Sequence, residues 1–114
     1  MQVYKVLRLE EAEVFDSTGE APLSPADERD GYVHLSTREQ LLETLEKHFP
    51  DVRAVRLLTV DADRLGEALR WEPAREGELF PHLYGRLLAG HVTGGWLMGR
   101  GHGGKFRLPL DMPG

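Results

Sequence analysis

The chain contains no cysteine. Disulfides, thiol nucleophiles and thiolate-bound zinc are therefore excluded, and the chemistry available is that of oxygen and nitrogen. An excess of positive charge is also missing: 14 Lys and Arg face 19 Asp and Glu, for a formal net charge of −5. That balance speaks against general nucleic-acid binding, which draws on clustered cations to hold phosphate backbones. Apolar runs stay far short of the ~20 residues a spanning helix needs, and no leader with an apolar core and small-residue cleavage site opens the sequence. These absences predict a soluble, cytoplasmic protein that does not engage a membrane.

What is present suffices for one domain. With 114 residues and 40% hydrophobic content, the chain can bury a modest core without a metal or disulfide staple. No repeat or low-complexity tract divides it, so the domain is placed over residues 1–110, with residues 111–114 as a frayed tail.

Residues 3–7 read as an opening strand and residues 9–16 as a short helix ended by Ser17-Thr18-Gly19. The Pro- and Asp-rich stretch 20–30 reads as a surface loop with at most one helical turn, capped by Ser24 with Pro25 at its first position. A brief strand over 31–35 leads into the clearest helix, capped by Ser36 or Thr37, with Glu39 in capping-box spacing from Ser36 and Leu41, Leu42, Leu45 and Phe49 on one face. Residues 54–60, apolar on both faces for most of their length, predict a central strand. Residues 68–72 and 79–84 follow as strands. Trp71 is expected in the core, and Pro81 confines its strand to an edge or bulge. Residues 91–98 form a last strand, with 105–108 pairing back across a glycine-rich, solvated turn. Two main helices among strands concentrated late give an α+β domain rather than a doubly wound one.

Two short strings carry the candidate chemistry. In Gly31-Tyr32-Val33-His34-Leu35-Ser36-Thr37, strand alternation puts Tyr32, His34 and Ser36 on one face: an aromatic wall, an imidazole and a hydroxyl. In Phe80-Pro81-His82-Leu83-Tyr84-Gly85 the same alternation groups Phe80, His82 and Tyr84. Glu72, opposite in face to Trp71, is a carboxylate able to orient an imidazole or act as a base beside His82, or to pair with Arg70, Arg75 or Arg86. The plainer alternative is that both histidines satisfy backbone carbonyls in the core. His34, His82 and Glu72 also form a nominal metal set, but no helical His-x-x-x-His or Glu-x-x-His spacing accompanies them, so no metal site is expected. The run Gly99-Arg100-Gly101-His102-Gly103-Gly104 has no helix after it to hold a pyrophosphate and reads as a turn.

These strings, with Gln40, Trp71-Glu72-Pro73 and the flanking Val3-Tyr4-Lys5-Val6 and Leu57-Leu58-Thr59-Val60-Asp61, resemble the small bacterial domain-of-unknown-function family 952 across nearly the whole chain. Ala12 departs from it, standing where such proteins often carry a tryptophan. The resemblance implies a compact, split-sheet fold similar to ADP-ribosyltransferases, whose active members hold NAD in a cleft. It also implies that His34 and Ser36 correspond to the strand histidine and small hydroxyl residue that contact the nicotinamide ribose and amide. Active histidine-type transferases run histidine, tyrosine, then a late glutamate, whereas here Glu72 precedes His82 and Tyr84. The leading expectation is a small-molecule or nucleotide-like ligand, NAD among the candidates, held by Tyr32, His34, Ser36, His82 and Tyr84. The enzyme alternative is NAD-dependent ADP-ribosyl transfer or hydrolysis, or a related glycosyl or phosphate transfer, with Glu72 and His82 as catalytic groups. The third alternative is an interaction or structural domain without a ligand.

Overall fold

The computed structural model describes residues 1–109 and Met112. In chain order its elements are β1 (Gln2–Leu7), α1 (Leu9–Thr18), α2 (Pro25–Asp30), β2 (Val33–His34), α3 (Leu41–His48), β3 (Ala54–Asp61), α4 (Ala62–Leu65), β4 (Leu69–Pro73), β5 (Leu79–Leu83) and β6 (Val92–Gly99). The strands make two three-stranded antiparallel sheets, ordered β1-β3-β6 and β2-β5-β4. This is the α+β class that the sequence predicts. None of the described helices is long and apolar enough to cross a membrane.

β3 is central, as its apolar composition requires, and separates two cores. Its Leu58 and Val60 face Val3, Leu7, Ala12 and Phe15 on one side. Val55 and Leu57 face Tyr4, Leu41, Leu45 and Phe106 on the other. Period-two alternation along one strand thus distributes the apolar residues between two layers, and truncating a fully buried leucine such as Leu45 costs about 2–5 kcal/mol. Gly95 in β6 looks like a weak strand residue, yet a Cβ there meets the Leu57 carbonyl oxygen at 2.7 Å, so the β3–β6 pairing depends on its absence. The two sheets meet where Tyr4 and Ser36 exchange backbone hydrogen bonds of 2.8 and 2.9 Å.

Several local expectations are corrected. β5 is the centre of its sheet despite Pro81. The N–H and C=O of one strand residue face the same neighbour, and the Pro81 carbonyl accepts from Leu35 at 3.1 Å. β2 has already ended at His34, so the missing proline donor falls where no ladder continues. Trp71 shares the Leu69 side of β4 but lies past the core, 38% exposed and opposite Pro81. The stretch 20–30 contains the full helix α2, whose Ser24 accepts from Asp27 N at 3.1 Å while Asp27 accepts from Ser24 N at 3.0 Å. The capping box before α3 is Thr37 with Gln40, because Ser36 is taken up by its pairing with Tyr4; Gln40 then donates to the Leu79 carbonyl at 2.8 Å. Leu42 is exposed. Residues 105–108 form no strand: Phe106 enters the second core, and Arg100 pins the glycine-rich turn by donating to the carbonyls of Val52, Phe49 and Gly104. The tail expected over 111–114 lies outside the described residues except for Met112, which is buried in the second core.

Candidate functional site

A cleft of about 530 Å³ opens beside the junction of the two sheets. β1 and the start of α1 contribute Tyr4, Lys5, Arg8 and Glu11; α2 contributes Arg29 and Asp30; the second sheet contributes Tyr32, His34, Ser36, Phe80 and His82. Thr44 and His48 of α3 and Arg75 from the turn before β5 complete it. Tyr32 stacks on His82 with ring centroids 4.0 Å apart and planes 24° apart. His34 lies 4.6 Å and Tyr84 5.3 Å from the same tyrosine ring, and His34 lies 5.7 Å from His82. The cross-strand pairing His34↔His82 brings the two imidazoles together, and Tyr32, just before β2, and Tyr84, just after β5, close over them.

The His34 end is anchored in the interior. Asp27 has no exposed side-chain surface and accepts from Lys5 Nζ at 3.0 Å, Ser24 N at 3.0 Å, His34 N at 3.0 Å and the His34 ring through Nδ1 at 2.7 Å. Burial pushes the Asp27 carboxyl up, but the His34 hydrogen bond and the Lys5 charge outweigh it and hold the group well below the usual carboxylate range. The other ring nitrogen, Nε2, meets Asp30 at 2.9 Å. Asp30 is held down to about 2, chiefly by its hydrogen bonds from Arg29, whose Nε and Nη2 lie 2.9 and 3.1 Å away. With carboxylates on both nitrogens, His34 makes both contacts as a donor only when its ring is protonated.

The His82 end is held differently. Its ring is 4% exposed, and Nδ1 lies 2.9 Å from Glu72, which also accepts from the Tyr84 hydroxyl at 2.8 Å. These two donors, His82 first, lower the Glu72 pKa, and the same carboxylate raises that of Tyr84. An ionised carboxylate only accepts, so Nδ1 of a neutral His82 carries the proton and Nε2 is the acceptor. Arg70 covers the Tyr84 ring at 4.8 Å.

All six residues named from the sequence come together, in two tiers. Tyr32, His34, Ser36 and His82 line the cleft; Glu72 and Tyr84 stand outside its lining and reach it through His82 and Tyr32. Ser36 is buried, and its hydroxyl is engaged 3.0 Å from that of Thr44. Sequence reasoning missed Lys5, Asp27 and Asp30, and offered Arg75 only as a partner of Glu72, whereas it pairs with Glu43. A lysine between Val3 and Leu7 on the inward face of a strand was a signal, since an inward cation requires a buried anion; the Ser24-Pro25-Ala26-Asp27 capping pattern was another. Among the described residues no three His, Asp or Glu side chains converge in a way that would hold a metal ion.

The model of the family described as "Protein of unknown function (DUF952)" matches residues 6–94. The crystal structure of protein CC0527 from Caulobacter crescentus is 37% identical, covers 94% of each chain and superposes with a TM-score of 0.87. The solution structure of the same protein, at 38% identity over 91% of this chain and 90% of that one, gives 0.80. No curated protein matches the chain.

Proposed function

This chain belongs to the DUF952 family, and we propose that, as a soluble cytoplasmic protein, it binds a nucleotide-like small molecule, NAD being the lead candidate, in the His- and Tyr-lined cleft. The observation that carries the reading is the Tyr32–His82 stack flanked by His34. Flat rings at the wall of a cleft of about 530 Å³ suit a heterocycle, and Nε2 of His82 supplies a hydrogen bond to fix its orientation. Two antiparallel sheets parted beside a cleft also support reading the fold as ADP-ribosyltransferase-like, with His34 toward the ribose and amide of the ligand and Ser36 supporting that wall.

A second reading, NAD-dependent ADP-ribosyl transfer or hydrolysis, is favoured by the Glu72–His82 contact. An imidazole held by a carboxylate through Nδ1 can take a proton on Nε2, the geometry of a general base. Release of nicotinamide from NAD, absent in Glu72→Gln, would separate enzyme from binder.

The test of binding is titration with NAD, ADP-ribose and nicotinamide, followed by calorimetry and thermal shift, because a ligand of the native state raises its stability by mass action. NAD or ADP-ribose is expected to raise the melting temperature, and His34→Ala and His82→Ala, still folded by circular dichroism, are expected to abolish the rise. Silence with all three ligands sinks the reading and leaves a structural or interaction domain.

A further inference from the structure

We infer that the end of the cleft at Arg75 is an anion subsite, shaped for a phosphate or pyrophosphate group of the bound ligand. This rests on the proposed nucleotide-like ligand for its biological sense, but on separate residues for its geometry.

The first observation is the orientation of ion pairs. Lys5, Arg8, Arg29 and Arg75 all line the cleft, while the carboxylates of Asp27, Asp51 and Glu43 that pair with Lys5, Arg8 and Arg75 do not. Of the pairing carboxylates only Asp30 lines it; Glu11 lines it too, but is engaged by the Arg8 backbone N–H at 2.8 Å. In a protein with a net charge of −5, Arg8 and Arg75 thus border the concavity while their carboxylate partners stand outside its lining. Field lines focused in such a cleft favour an anionic occupant.

The second observation is Arg75 itself. Its guanidinium lies over the Phe80 ring at 4.4 Å and its side chain is 18% exposed. Nη2 donates to Thr44 Oγ1 at 2.8 Å, and that hydroxyl lies 3.0 Å from Ser36 Oγ, so one prong of the fork is fixed. Nη1 is buried and held by the Glu43 carboxylate at 3.3 Å, its one ion pair among the described residues. Glu43 has a second cation in Lys47 at 3.1 Å. Glu43 therefore keeps a partner when Nη1 turns to another anion, and a phosphate oxygen is the one that the planar fork of arginine matches best.

Position connects this subsite to the rings. Phe80 and His82 are two residues apart on β5 and share a face, so the group covering Phe80 stands roughly 7 Å along the strand from His82. A ribose spans that interval, with the base on the Tyr32–His82 wall and the phosphate on Arg75.

The experiment titrates the full chain at low salt with adenosine, AMP, ADP and inorganic pyrophosphate by calorimetry. Parallel titrations use Arg75→Gln and Arg75→Lys. AMP and ADP are expected to bind at least about tenfold tighter than adenosine, Arg75→Gln to erase that increment while leaving adenosine affinity unchanged, and Arg75→Lys to retain part of it. In wild-type protein with labelled arginine, pyrophosphate is expected to shift the Arg75 side-chain resonances and to leave those of Arg56, paired with Asp16 elsewhere, in place. That measurement decides the matter even if the glutamine variant does not fold. Phosphorylated ligands that gain nothing over adenosine, or an unmoved Arg75, overturn the subsite while nucleotide binding stands. Pyrophosphate bound at Arg75 without any affinity for adenosine, AMP or ADP leaves the subsite standing and removes the nucleotide reading. No binding of any probe ends both.

Discussion

The two histidines that face each other across β2 and β5 differ in what stands behind them. His34 has carboxylates on both ring nitrogens, and one of these, Asp27, is wholly buried against Lys5. His82 has one nitrogen on Glu72, which is itself about a third exposed and backed by the hydroxyl of Tyr84. The first arrangement fixes a ring in place and spends its hydrogen-bonding capacity on the protein. The second orients a ring and leaves Nε2 to change partners. Two imidazoles 5.7 Å apart are thus distinguished by their support rather than by residue type.

The largest expected break in this comparison comes from Asp27→Ala. It strands Lys5 in the interior and removes the Asp27 half of the α2 capping box, so stability is expected to fall by about 3–5 kcal/mol in urea denaturation, whereas Glu72→Ala, which leaves Nδ1 of the buried His82 without its acceptor, costs about 1–3 kcal/mol. Equal losses in the two variants would erase the distinction between an imidazole held through both ring nitrogens and one held through Nδ1.

A smaller effect follows from pH. The Asp27 carboxyl titrates lower in the folded protein than its unfolded value of about 3.9, so the folded state binds fewer protons. Its stabilisation is therefore fully present above that unfolded value and drains away as pH falls below it toward the folded one. Urea midpoints measured from about pH 6 down to about pH 2 should drop steeply in the wild type, and Asp27→Asn should flatten that acid limb. A limb of unchanged slope would place the acid sensitivity elsewhere.

The smallest effect sharpens the His82 side. Tyr84 titrates high because its hydroxyl bonds to the Glu72 carboxylate, so Glu72→Gln should bring the Tyr84 phenol to a lower pKa, read from its ring resonances at alkaline pH. A phenol that titrates as before would show that Glu72 does not hold this pair in solution.

Legibility followed the range of the forces involved. The stripe of α3, the doubly apolar β3 and the end of α1 at Gly19, with φ of 77°, were readable because periodicity and glycine conformation act within a few residues. The grouping of Tyr32, His34, His82 and Tyr84 was readable for the same reason, since each strand sorts its own side chains by alternation. Pro81 in a central strand was not, because its tolerance depends on where β2, a distant segment, happens to stop. Asp27 looked like a solvated loop acid, and only the approach of Lys5, 22 residues earlier, makes it the buried anchor of His34.

By itself, then, the sequence determined the class of the fold, the family and the identity of the facing rings, all of which rest on local pattern. The tertiary structure alone decided which histidine is held through both ring nitrogens and which through one, and where the ion pairs around the cleft lie. Those outcomes depend on distances between groups far apart in the chain and on their removal from water, and neither is encoded in spacing.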